Sequence, residues 1–152
     1  MKNKIIKIIF LLSIFIYIKP DMNANTYTTY IRKATVKIFN TTSKANFCSP
    51  WKARNSYRAT GTGAILQGNI ILTNAHVVSD STFLQVQKEN DPKLHNAKVL
   101  FTGNSCDLAL VQILDKNFFK GTKSLTLGGI PKLQSKVATF GYPNGGERIS
   151  IT

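Results

Sequence analysis

The sequence predicts an all-β fold, and three observations predict it. Six short stretches either alternate apolar with polar residues or run apolar through Val, Ile, Leu and Phe: residues 34–39, 61–66, 70–73, 83–87, 94–101 and 108–113. Clusters of Gly, Asn, Asp, Pro and Ser stand between most of them, which is turn chemistry. The 152 residues are 43% hydrophobic, enough for the core of one ordinary domain and too much for a disordered chain. No solenoid repeat or low-complexity tract interrupts the pattern.

Residues 1–24 read as a leader. Lys2, Lys4 and Lys7 precede an apolar run over residues 8–18, and Ala24 offers a cleavage point. That run is short against the ~20 residues a spanning helix needs, so a stable membrane span is not expected, although an uncleaved anchor is the rival reading. The first strand, residues 34–39, follows. Residues 41–60 form a polar loop with Cys48, Pro50, Trp51 and the cations Lys52, Arg54 and Arg58, where Trp51 is expected to anchor the loop to a strand wall. Strands 61–66 and 70–73 make a hairpin about Gln67-Gly68-Asn69, with Gly68 free to take positive φ. Residues 75–78 suit one helical turn. Strand 83–87, a turn through Asn90-Asp91-Pro92 and strand 94–101 come next, with His95 expected at an exposed strand end and without a catalytic part. A turn at 102–105 leads to strand 108–113. Residues 115–121, with Phe118 and Phe119, look like a linker. Residues 136–140 and 148–152 begin a second set of strands around Gly141-Tyr-Pro-Asn-Gly-Gly146.

The formal charge is +13, and lysines are scattered rather than blocked. Without an RNA-binding aromatic signature, a solvated basic surface is the expectation and nucleic acid is not an expected partner. Cys48 and Cys106 allow one disulfide; two unpaired small residues, with Cys106 half-buried, is the favoured reading. Cys106 is a poor nucleophile candidate because Asp107 beside it opposes a thiolate. No His, Cys or carboxylate pair has metal-ligand spacing, so no metal or other cofactor is expected.

Two residues carry chemistry. His76 stands just past the apolar strand 70–73, on a stiff support. Asp107 stands at the mouth of strand 108–113, where a carboxylate can accept the Nδ1 proton of a histidine, fix its tautomer and stabilise the imidazolium. Around them, Thr60-Gly-Thr-Gly63, Leu72-Thr-Asn-Ala-His-Val-Val78, Cys106-Asp-Leu-Ala-Leu110 and Val137-Ala-Thr-Phe-Gly-Tyr-Pro-Asn-Gly-Gly146 together resemble the HtrA/Deg (DegP-like) trypsin-fold serine endopeptidases, from about residue 35 to 152.

After the leader at 1–24, the resemblance implies a trypsin-like β-barrel: a complete N-terminal barrel at 25–120 carrying His76 and Asp107, and a second barrel only begun at 121–152. It implies proteolysis of unfolded proteins outside the cytoplasm, with the protein secreted or periplasmic and an unfolded protein or peptide as substrate. Oligomeric state stays open. The family's nucleophile lies in a Gly-Asn-Ser-Gly-Gly segment, and no such segment occurs here; Gly103-Asn104-Ser105 precedes the aspartate and lacks the glycines. The chain is therefore expected to hold a base and its orienting carboxylate, and to be inactive alone. The alternatives are a non-catalytic secreted binding module or the remnant of a broken protease gene.

Overall fold

Alternating and apolar segments of this length bury one face by curling around a shared core, and closing the sheet removes its edges. The computed structural model describes residues 24–43, 47–49, 51 and 55–152. Six strands close into an antiparallel barrel: β1 (Thr35–Thr42), β2 (Tyr57–Leu66), β3 (Ile70–Thr73), β4 (Ser81–Lys88), β5 (Leu94–Gly103) and β6 (Leu108–Ile113), in the order β1-β2-β3-β6-β5-β4. All six expected strands are present, β3 and β6 with the expected bounds. Val36, Ile38, Ile65, Ile71, Val86, Val111 and Phe118 form the centre of the core.

Glycines set how closely the wall packs. A Cβ at Gly63 would meet Ile71 Cγ2 at 2.6 Å and Ile38 Cδ1 at 2.9 Å, so only glycine lets those side chains meet across the barrel. The hairpin between β2 and β3 turns through Gly68 at φ 86° and Asn69 at φ 61°. Both are left-handed, a conformation glycine adopts freely and asparagine tolerates.

Four local expectations are corrected. Residues 24–34, read as leader end and lead-in to a strand, form helix α1 (Ala24–Ala34). Its Thr- and Tyr-rich sequence has little helix propensity, and tertiary contacts hold it: Tyr30 Oη donates to Ser124 O, and Arg32 Nε donates to both Glu89 oxygens at 2.9 and 3.1 Å. His95 is buried, 5% exposed, because it faces the barrel interior; its ring meets Phe118 edge-on at 4.9 Å and its Nδ1 lies 3.1 Å from Asp115 Oδ2. The expected linker is part of the core. A 3₁₀ turn (Lys116–Phe119), capped by the Asp115 side chain on Asn117 N, drives Phe118 into the end of the barrel at 0% exposure. Trp51 is 81% exposed and does not anchor its loop. On the wall, Arg58 instead covers Phe39, its guanidinium 4.3 Å from the ring. The leader, apart from Ala24, lies outside the described residues. Among the described residues no helix is long and apolar enough to cross a membrane.

Beyond the barrel, the second set of strands is short. β7 (Phe140–Gly141) pairs with β8 (Ser150–Ile151), and Thr139 and Thr152 extend the pairing by two reciprocal bonds of 2.7 and 3.0 Å. The hairpin rests on the barrel: Tyr142 N donates to Thr62 Oγ1 at 2.9 Å, and Lys37 Nζ donates to Gly145 O and Gly146 O at 2.7 and 3.1 Å.

Candidate active site

His76 stands on α2 (Ala75–Val78), a single helical turn that leaves β3 directly. Asp107 stands at the entry to β6, at φ 51°. That left-handed conformation is uncommon outside glycine, and aspartate is among the residues that tolerate it. β3 and β6 are neighbours in the sheet, with Thr73 opposite Ala109. The register therefore places the residues just past Thr73 beside those just before Ala109, and the two halves of the site meet.

They meet through a set of directed bonds. His76 Nδ1 lies 2.7 Å from Asp107 Oδ2, and the His76 backbone N–H donates to Oδ1 at 2.9 Å. Asn74 Nδ2 donates to both Oδ2 and the backbone oxygen of Asp107, each at 3.1 Å. These bonds favour the anion. The Asp107 carboxyl is held below the usual aspartate value, first by the His76 backbone N–H and then by the His76 side chain, with burial opposing them. An ionised carboxylate only accepts, so the proton stands on Nδ1 and the Nε2 lone pair is left to take another. The His76 side chain is 71% exposed and accessible to a reactant.

Ser79, the nearest serine in sequence, donates to the His76 carbonyl at 3.1 Å rather than to the ring. Cys106, expected half-buried, is an exposed free thiol whose Sγ donates to Gly103 O at 3.3 Å within the turn. It faces that turn because the chain enters β6 only after the left-handed Asp107. A groove of about 490 Å³ runs beside the pair, lined by Thr62, Leu72, Asn74, Leu108, Leu125 and Phe140 among others. Among the described residues no group of three or more His, Cys, Asp or Glu is placed to hold a metal ion.

Sequence reasoning named His76 and Asp107, which the structure brings together, and did not bring out the contacts of Asn74 and Gly61. Asn74 sits inside the Thr-Asn-Ala-His motif, yet its bond to Asp107 depends on which strand lies next to β3. Gly61 clears space for the turn: a Cβ there would meet the Val77 methyls at 2.5 and 2.7 Å. The Gly-x-Gly spacing was its signal.

Residues 61–152 match the Trypsin-like peptidase domain family. The chain is 43% identical over 117 residues to Protease Do-like 4, mitochondrial, of Arabidopsis thaliana, covering 77% of this chain and 23% of that protein. It is 37% identical to Protease Do-like 2, chloroplastic, of the same plant, covering 78% and 20%. It is 33% identical to a serine protease DegP homolog of Plasmodium falciparum, covering 79% and 14%. The chain thus spans about a quarter or less of these relatives' length. The crystal structure of the Rv3671c protease from M. tuberculosis in its active form superposes with a TM-score of 0.64 at 23% identity, covering 88% of this chain and 52% of that one, a likeness of fold. With a family match over more than half its length, a closed six-stranded barrel and Do-like relatives, this chain belongs to the trypsin-like peptidase domain family, among the HtrA/Deg proteases.

Proposed function

We propose that this chain supplies the general base, His76, and its orienting carboxylate, Asp107, to a serine-type endopeptidase acting on unfolded proteins or peptides. The observation that carries the reading is the 2.7 Å contact of His76 Nδ1 with Asp107 Oδ2, fixed by the 2.9 Å bond from the His76 N–H. In the reaction a serine Oγ attacks the peptide carbonyl while His76 Nε2 takes its proton, and Asp107 stabilises the imidazolium. His76 then returns the proton to the leaving amine, and water hydrolyses the acyl-enzyme by the same route. The serine and the oxyanion hole are not among these 152 residues: no Gly-x-Ser-Gly-Gly occurs in them. In this reading residues 25–120 form the barrel that holds the base, residues 121–152 begin a second barrel, and residues 1–24 direct the protein out of the cytosol.

The 152-residue chain alone is expected not to cleave unfolded casein. A form that continues into a Gly-Asn-Ser-Gly-Gly segment is expected to cleave it, to lose activity in His76→Ala, and to lose on the order of 10⁴-fold in kcat in Asp107→Asn, where the amide no longer holds the right tautomer. Cleavage by the longer form that survives His76→Ala overturns the assignment. His76-dependent cleavage by the short chain overturns its inactivity. The groove beside the pair favours a second reading, a module that binds unfolded polypeptide without cutting it. Saturable binding of reduced, denatured protein by a longer form without turnover would select it.

A further inference from the structure

His76 rides on a helix too short to support itself. Nucleating one turn fixes several dihedrals for few hydrogen bonds, and the last carbonyls of a helix have no partner along it. In α2 the N-cap Asn74 makes no side-chain cap, since its amide is engaged with Asp107, and the chain leaves at Ser79 in extended conformation. Something outside the turn must hold it.

That support comes from the far side of the barrel wall. Asn40 lies on β1 at the position that continues the inward alternation of Val36 and Ile38, and it is 1% exposed. Its Nδ2 donates to Val77 O at 2.9 Å and to Ser79 O at 3.0 Å, the carbonyls at the C-terminal end of the turn. The other end is tied by the His76 N–H to Asp107 Oδ1. Between the two ties Val77 packs into the space left by Gly61. The amide carries a cost that an apolar residue at this position would avoid: Asn40 Oδ1 is buried and accepts nothing among the described residues. What the side chain contributes in return is two donors aimed at one helical turn.

We propose that Asn40 is a positioning residue for the His76–Asp107 pair, its buried amide fixing through the Val77 and Ser79 carbonyls where the imidazole stands. The functional meaning rests on the reading of His76 as a base; the placement itself is measured without catalysis. Asn40→Leu in the 152-residue chain keeps the size and removes both donors. The controls are the unmodified chain and Ile113→Val, a core change on β6 away from the turn. Two NMR readouts apply: the pH titration of the Asp107 carboxyl carbon, and the hydrogen exchange of the His76 amide. In folded Asn40→Leu, the Asp107 midpoint moves up toward the ordinary aspartate value, and the His76 amide exchanges about tenfold faster, the change one lost hydrogen bond produces. Ile113→Val leaves both unchanged.

A folded Asn40→Leu with unchanged Asp107 titration and His76 exchange overturns the proposal. Where Asn40→Leu does not fold, the unmodified chain decides. Slow exchange of the Asn40 side-chain protons, with scalar couplings to the Val77 and Ser79 carbonyls, supports the clamp, and fast exchange without couplings overturns it. A chain that passes while a longer form never cleaves peptide refutes the protease reading and leaves the positioning role intact.

Discussion

At the scale of the residue, the site is made by space and direction more than by charge. Gly61 shows the first. Adding one methyl puts it 2.5 Å from a Val77 methyl, so the turn must move or the strand must bend. Gly61→Ala is expected to lower unfolding stability by about 1–3 kcal/mol, the usual cost of overpacking, and to weaken the His76–Asp107 contact. Urea unfolding and the Asp107 titration check the two halves of that statement. His76 and Asp107 themselves were legible because each is embedded in a run of residues with its own pattern. Asn40 and Asn74 were not legible in their roles. Their partners are the Val77, Ser79 and Asp107 groups of other elements, and nothing local in the sequence announces such neighbours.

At the scale of the element, the β7–β8 hairpin is held by a lysine on the outer face of β1 and by its own tyrosine, both covered where the hairpin meets the barrel. Lys37, 7% exposed, spans from Gly145 O and Gly146 O to the faces of Phe39 and Tyr142, at 4.9 and 6.0 Å from the ring centroids. Burial, with Glu89 adding to it, pushes the Tyr142 phenol up to about 12. A raised tyrosine value means that docking favours the neutral phenol. The contribution is present below the ordinary value of 10.0 and is lost as pH rises through the folded one. Spectrophotometric titration is expected to show one tyrosine, Tyr142, ionising near pH 12, and Lys37→Met to lower that midpoint while making the hairpin more open to limited proteolysis. A Tyr142 that titrates normally in the unmodified chain would mean the hairpin does not dock. The strands were legible because period-two alternation is local. His95 was misread as an exposed strand-end residue: the register of β5 shifts between Val99 and Phe101, so apolar residues fall on both faces and its inward position is concealed. α1 was missed because Thr and Tyr favour strands, and its helix depends on Ser124 and Glu89, far along the chain.

At the scale of the whole molecule, the barrel is closed at one end by Phe118 and bears its site at another. Phe118→Ala is expected to cost about 3–5 kcal/mol in denaturant unfolding, since it empties a fully buried aromatic site at the end of the barrel. Acid should act across the molecule. Asp91, Asp107 and Asp115 are all held below the ordinary aspartate value, each chiefly by a backbone N–H, of Lys93, His76 and Asn117. Depressed carboxyls contribute stability above the ordinary value of 3.8 and lose it as pH falls through the folded values. The melting temperature is therefore expected to fall between about pH 5 and pH 2, and to fall less in Asp107→Asn. A flat profile in the unmodified chain would contradict the three bonds. The +13 charge steepens the loss by self-repulsion as the carboxylates neutralise.

The strand order carries a consequence for how the chain folds. β2–β3 and β4–β5 are hairpins and can form early, each from its own stretch of chain. Neither contains both halves of the site. His76 follows β3 and Asp107 precedes β6, and those strands meet only after the intervening hairpin has been looped out, a non-local and therefore slow step. A half-folded copy thus carries an unoriented imidazole, and the pair is assembled by the same event that completes the barrel.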